Sequence, residues 1–177
     1  MPTYGRISRS GVMPLSWSLD HLGPMTRTVE DAALMLHSVS GFDPADRTTS
    51  TEPVSDFRRK LTTEIRGLRI GILEDSLEDL HRDTERAVEQ SIKVFESLGV
   101  RLFPIRIPNY HVLHIANSII YLVEAFNNFG GYLREDPSRL GRIFRLYGYM
   151  GGLFSANEYV QAMRLRSRTR AEVGQIF

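Results

Sequence analysis

Leu68-Arg-Ile-Gly-Ile-Leu73 decides the fold of this chain, because a run so rich in aliphatic and β-branched residues predicts a β-strand. Asp83 to Leu98 follows with the pattern of an amphipathic helix, and Arg101 to Ile107 predicts a second strand. Pro104 cannot donate a hydrogen bond, which favours an edge position for that strand. Strand, helix and strand within about 40 residues predict a βαβ unit with parallel strands and a right-handed crossover.

Two strands cannot form a free-standing parallel sheet, because such sheets need further strands and cover on both faces. The sequence therefore predicts part of a larger α/β fold, with one βαβ unit and several helices on an incomplete sheet. We expect one partial domain over residues 1–177. It comprises a loop-rich segment (1–27), a helix plus the βαβ unit (28–108) and a helical segment (109–177).

The remaining helices are predicted from apolar periodicity at 29–40, 110–128, 137–150 and 156–172. Thr28 is the expected N-cap of the first of them. The glycine pairs Gly130-Gly131 and Gly151-Gly152 are expected to break the helical segment.

Composition excludes several functional classes. The 177 residues carry 22 basic and 21 acidic side chains, a net charge of +1, which makes nucleic acid an unexpected partner. The absence of cysteine excludes disulfides, thiolate metal sites and cysteine nucleophiles. No apolar run approaches the roughly 20 residues that cross a bilayer. With no signal-peptide pattern either, we expect a cytoplasmic protein without a membrane partner.

Three groups of side chains have patterns associated with chemistry, and each is assigned a structural role. His111 and His114 have the spacing of two metal ligands on a helix but lack a third, so no metal site is predicted. Glu74 and Asp75 follow the first strand, where α/β sheets bind ligands, but the further strands of a phosphate-accepting domain are absent and a solvated turn is expected. The arginines of the last helix fan over two faces and predict a solvated surface, with contact to RNA or phosphate as the alternative: Arg164, Arg166, Arg168 and Arg170.

Ser16 and Ser18 flank Trp17 in the loop-rich segment and are the only serine pair that merits attention as nucleophiles. The chain has neither a Gly-x-Ser-x-Gly elbow nor a Ser-x-x-Lys pair. A loop hydroxyl is far more often a turn former, so neither serine is predicted to be catalytic.

Residues 2–31 contain a long and gapless pattern: Pro-Thr-Tyr-Gly-Arg-x-Ser-x-x-Gly, then Ser-Leu-Asp-x-x-Gly-Pro, then Arg-Thr-Val-x-Asp. It is similar to the pattern of the amidase signature family. The resemblance continues through residues 40–46, the βαβ unit, Val123-Glu-Ala125 and residues 155–166.

The resemblance implies a large mixed sheet with helices on both sides and a hydrolase that cleaves carbon–nitrogen amide bonds. The related subunit that releases ammonia from glutamine for acyl groups on tRNA is a further alternative, less favoured because residues 15–21 resemble the general bacterial-type amidases more. Family members use a serine nucleophile, a second serine on a cis peptide and a lysine that takes up the proton. These three residues precede the motif at Pro2, so we expect no catalytic residue in this chain and no activity from it alone. A non-catalytic truncated paralogue, paired with a full-length subunit, is the alternative.

Arg142 is the one residue to which the resemblance assigns a substrate contact. Within Gly141-Arg-Ile-Phe144 it resembles an arginine that holds the substrate carboxylate in the tRNA-dependent amidotransferase, and a guanidinium fork suits that task. The alternative is a surface ion pair on a helix that also carries Arg139 and Arg145.

Other family-like residues have supporting roles. Asp20 and Arg6 are expected to brace the loop beneath the active site. The expected partners are a small-molecule amide in the complete enzyme and either a second copy or the missing half of the domain, and no cofactor is implied.

Overall fold

In this computed structural model, which describes residues 1–61 and 64–177, the predicted βαβ unit is present as a parallel sheet. Strand β1 (Arg69–Leu73) pairs with strand β2 (Arg101–Ile105), and helix α2 (Arg82–Ser97) connects them. These are the only two strands of the sheet in the described part of the chain. The prediction of an incomplete α/β sheet is confirmed.

The turn after β1 holds the ends of the two strands together. Asp75 accepts a hydrogen bond from the Ile107 amide at 3.1 Å, and the Arg106 guanidinium donates to Glu74 at 2.8 Å. These side-chain contacts replace main-chain pairing, so β2 ends at Ile105 instead of at the predicted Ile107. Glu74 and Asp75 lie in a solvated turn, as predicted, and their hydrogen bonds also hold the ends of β1 and β2 together.

Residues 1–28 form neither a helix nor a strand, as the density of glycine and proline predicts. Helix α1 (Val29–Val39) begins after this segment, and the Thr28 hydroxyl accepts the Asp31 amide at 3.1 Å. This N-cap is the one that the sequence predicts. Gly41 follows the helix with a φ of 148°, which only glycine adopts readily.

The helical segment contains α3 (Tyr110–Glu135), α4 (Arg142–Gly151) and α5 (Ala156–Gly174). The predicted break at Gly130-Gly131 is wrong, because α3 continues through both glycines. A helical glycine costs about 1 kcal/mol, which the burial of α3 against α4 and α5 outweighs. The predicted break at Gly151-Gly152 is confirmed.

Glycines of α4 allow it to approach α3 closely. A Cβ atom added to Gly148 would lie 2.8 Å from Leu133 Cδ1. A Cβ atom added to Gly151 would lie 2.0 Å from the Leu122 carbonyl oxygen, which belongs to the α3 backbone and cannot rotate away. Position 151 therefore excludes every side chain at the present distance between the helices.

We predict that Gly151→Ala destabilises the chain by about 3 kcal/mol or more, because the helices must separate to admit the methyl group. Urea unfolding followed by circular dichroism measures the change. Gly131→Ala is the matched control, since its Cβ meets nothing within 4 Å and removing a helical glycine stabilises by about 0.5–1 kcal/mol. Equal stability of the Gly151 variant and the parent would contradict the assigned contact.

Candidate functional site

The family-like N-terminal segment is held against α3 and α5 by the carboxylate of Glu124, which is only 7% exposed. Ser16 Oγ donates to one carboxylate oxygen at 2.6 Å, and the Ser18 amide donates to the same oxygen at 3.0 Å. The other oxygen accepts from Ser18 Oγ at 2.7 Å and from the Tyr159 hydroxyl at 2.8 Å. Four donors from two distant segments thus converge on one carboxylate.

These contacts keep Glu124 ionised. Burial raises the pKa of the carboxyl group, but the hydrogen bonds from Ser16, Ser18 and Tyr159 outweigh it and hold that pKa below its ordinary value. Burial and the bond to Glu124 raise the pKa of Tyr159, so its hydroxyl stays protonated as a donor. Arg166 reaches the cluster through the main chain, since its Nη2 donates to the Ser18 carbonyl oxygen at 2.5 Å.

The loop around Trp17 is fixed independently of Glu124. Asp20 accepts the amides of Leu15 and Ser16 at 2.9–3.1 Å, as its predicted bracing role requires. Trp17 Nε1 donates to Asn128 Oδ1 at 2.8 Å, and Asn128 Nδ2 donates back to the Leu15 carbonyl oxygen at 3.1 Å. Asp20 and Asn128 therefore fix the loop around Trp17, and the fixed loop in turn positions the two serine hydroxyls.

A second polar cluster joins the N-terminal loop to the loop at 43–49. Arg9 donates to the Trp17 carbonyl oxygen at 2.6 Å and to the Tyr4 hydroxyl at 2.7 Å, and it lies 3.8 Å from Asp46. Hydrogen bonds from the Thr48 hydroxyl and then from the Arg9 amide lower the pKa of Asp46 to about 2. Beside this cluster an open cavity of about 370 Å³ is lined by Met13, Trp17 and His21 among others.

Arg6 also braces this region. Its Nη1 donates to the Glu52 carbonyl oxygen at 3.1 Å. Sequence reasoning predicted the bracing role of Arg6 and Asp20 but missed the Arg9–Asp46 cluster. Asp43-Pro-Ala-Asp46 was part of the family-like sequence and was the available signal.

The remaining sequence candidates do not form a reactive site. His111 Nε2 lies 3.5 Å from Glu78, while His114 packs edge-on against Tyr110. In the part of the chain that the structure describes, no group of three or more metal-ligating side chains is present. Of the α5 arginines, Arg168 is exposed and pairs with Glu172 at 2.8 Å, but the predicted solvated surface is wrong for Arg166, which is half-buried and donates to the Ser18 carbonyl oxygen.

Residues 1–173 match the protein family described as Amidase. The chain belongs to this family. An amidase of Pseudomonas putida is 37% identical over 177 residues, which cover 99% of this chain and 38% of that protein. A glutamyl-tRNA(Gln) amidotransferase subunit of Akkermansia muciniphila is 37% identical over 172 residues, which cover 97% and 33%. The chain spans about a third of the length of these relatives.

Solved structures of the amidase family share the fold. A protein described as part of a vestigial complex that reveals the origins of an s-triazine catabolic enzyme matches with a TM-score of 0.90 and 29% identity, over 99% of this chain and 38% of its own. A glutamyl-tRNA(Gln) amidotransferase subunit of Thermotoga maritima matches with a TM-score of 0.72 and 25% identity, over 99% and 39%. None of the described helices is long and apolar enough to cross a membrane.

Within this amidase-family segment, Ser16 and Ser18 serve the structure. Ser16 is 1% exposed, so a substrate cannot reach its hydroxyl. Both hydroxyls donate to Glu124, and a carboxylate with a lowered pKa is a weak base at neutral pH. The arrangement is that of a satisfied buried carboxylate and not of an activated nucleophile.

Arg142 is the first residue of α4 and is exposed. The surface ion pair weighed as its alternative role is not seen, since Arg142 has no acidic partner within 4.0 Å among the described residues. Arg139, by contrast, lies 5.1 Å from the centre of the Tyr132 ring. The contact of Arg142 with a substrate stays a prediction.

We predict that Glu124→Gln destabilises the chain by about 1–3 kcal/mol at pH 7, because an amide presents only one acceptor oxygen to four donors. The folded-state pKa of Glu124 lies below its ordinary value of 4.5, so the stability from its charge is complete above that value and is lost as the pH falls through the folded pKa. Urea unfolding between pH 7 and 3 should show a flatter acid limb for the variant. The exposed Glu89→Gln is the control, and identical pH profiles for both variants would contradict the role of Glu124.

Proposed function

We propose that this chain is part of a hydrolase that cleaves a small amide by Ser-Ser-Lys chemistry, with those three residues supplied by another part of the amidase domain. The observation that carries the proposal is the match of residues 1–173 to the amidase family, together with a shared fold over 99% of the chain. What the chain contributes is a scaffold beneath the active site and part of the wall of the substrate pocket.

The chemistry of the serines in this chain supports a catalytic centre whose reactive residues come from another part of the domain. A serine attacks an amide only after a base removes its proton. The hydroxyls of the family-like serines point to a carboxylate whose pKa is held low, and that carboxylate has little tendency to take up a proton at neutral pH. The isolated chain is therefore expected to turn over no amide.

A chimera tests the proposal: this chain replaces the matching third of the Pseudomonas putida amidase. We predict that the chimera hydrolyses an amide accepted by the parent, measured as ammonia release, while the isolated chain does not. Ser18→Ala in the chimera should keep kcat within about threefold, because the hydroxyl only braces Glu124. A folded but inactive chimera would contradict the proposal, and so would loss of turnover in a Ser18→Ala chimera with an unchanged thermal midpoint.

We also propose that Arg142 lines the pocket and holds a substrate carboxylate. In an active chimera, Arg142→Ala should raise KM for an amide that carries a carboxylate by about tenfold or more, since charge-assisted hydrogen bonds contribute about 1.5–3 kcal/mol. Neutral amides should show no change in KM. Arg139→Ala, which removes a guanidinium stacked on Tyr132, should leave both values unchanged, and an equal effect of the two variants would contradict the role of Arg142.

A non-catalytic role beside a full-length subunit is the second candidate. An exposed apolar stripe on α4 offers a surface for such pairing, and the remaining part of the domain would cover the same stripe under the first proposal. The stripe has helical spacing and continues into the next turn: Ile143, Leu146, Tyr147, Met150 and Leu153. The names of two relatives are compatible with such pairing. One is named as a subunit of an amidotransferase, and the other is described as part of a protein complex. A soluble 1:1 complex with the intact Pseudomonas putida amidase would favour this role, whereas an active chimera favours the first.

A further inference from the structure

Trp17 is an aromatic residue that is fixed and exposed at the same time. It is 56% exposed, although its Nε1 donates to Asn128 at 2.8 Å and its carbonyl oxygen accepts from Arg9 at 2.6 Å. The serines on either side of it are bound to Glu124, so the main chain that carries the ring is fixed as well. An exposed ring held in one orientation has already lost the conformational freedom that binding a ligand would otherwise cost.

The cavity of about 370 Å³ beside Trp17 has an apolar lining that is formed in advance. Val12, Met13 and Trp17 line it, and all three are exposed. The Val12 amide donates to the Arg9 carbonyl oxygen at 3.1 Å, so the wall that carries Val12 and Met13 is a hydrogen-bonded turn. The volume lies within the roughly 300–1,000 Å³ that small-molecule sites occupy.

The charged groups that line this cavity are already satisfied within the protein. Asp20 accepts the amides of Leu15 and Ser16. Asp46 accepts the Arg9 amide at 2.8 Å and lies 3.8 Å from the Arg9 guanidinium. The cavity therefore favours a neutral and apolar ligand group. A flat ring gains most there, since a pair of aromatic rings is stabilised beyond the area that it buries.

Trp17 and the first turn of α4 contact neighbouring residues of α3. Trp17 is hydrogen-bonded to Asn128, and the Phe144 ring centre lies 4.8 Å from that of Phe129. Arg142, which is proposed above to hold a substrate carboxylate, precedes Phe144 by two positions. Trp17 thus contacts the same turn of α3 as the helix that carries the proposed carboxylate contact.

We propose that Trp17 determines the class of substrate, because the cavity beside its indole binds an aromatic group carried by the amide. This assignment rests on the proposed function, since it names the substrate of that reaction. The substrate ring packs on the indole, and Val12 and Met13 complete the apolar surface around it. Trp17 makes and breaks no bond and acts only through binding.

Trp17 is the only tryptophan of the chain, so its fluorescence reports binding in the cavity directly. Phenylacetamide should change the emission along a saturating curve, whereas acetamide at the same concentrations should not. Met13→Ala should weaken the binding of phenylacetamide about fivefold, because it removes part of the apolar lining. Met25→Ala is the matched control, since Met25 is 95% exposed and lies outside this cavity. Quenching by phenylacetamide that does not saturate would overturn the inference, as would equal binding by the two variants.

The chimera described above tests the same residue in the reaction. Trp17→Leu should lower kcat/KM for phenylacetamide about tenfold more than for acetamide, because the flat ring is lost. Trp17→Phe keeps a ring but loses the bond to Asn128, and it should recover most of that difference. Equal losses for the two amides would assign Trp17 a structural role and overturn the inference, as would an active chimera that hydrolyses no aromatic amide.

The two experiments separate this substrate class from the proposed function. Saturable binding of phenylacetamide to the chain, together with a folded but inactive chimera, supports the aromatic site and contradicts the function. An active chimera whose preference between the two amides does not respond to Trp17 overturns the aromatic site and leaves the function intact.

Discussion

The buried carboxylate of Glu124 is the constraint on which the helical half of the molecule depends. An ionised group at 7% exposure is tolerated only when hydrogen bonds replace the water that it has lost. Its donors come from the N-terminal loop and from α5, while the carboxylate itself belongs to α3. The polar requirement of one side chain therefore joins three segments, and a loop with few apolar residues of its own acquires a defined conformation.

This arrangement explains how a family-like serine segment can be structural. Glu124 holds the two hydroxyls and the Ser18 amide of the Ser-Trp-Ser sequence, Asp20 accepts its Ser16 amide, and Asn128 accepts from its indole. A segment held at so many points is suited to support a reactive loop that lies against it. It is poorly suited to change its own protonation, because both serine hydroxyls already donate to a carboxylate whose pKa is held low.

Local pattern was sufficient to predict the βαβ unit, because the signals of its strands and helix lie within each segment. The helix through Gly130-Gly131 was mispredicted, since contact with distant helices overrides a local preference for a break. The Glu124 cluster joins residues 106–108 positions apart, a separation that periodicity cannot span. Its one local signal was a single carboxylate within an apolar helical stretch, which is typical of a buried and satisfied charge.

The glycine contact of α4 has an evolutionary consequence. One face of the helix is committed to α3 through Gly148 and Gly151, where additional atoms have no room. The opposite face, with Ile143 and Leu146, is exposed and can change its side chains without altering the packing of the helices. Amidase relatives are therefore expected to keep the smallest residues at these two glycine positions, whereas exchanges on the exposed apolar face are limited by what packs against that face and not by α3.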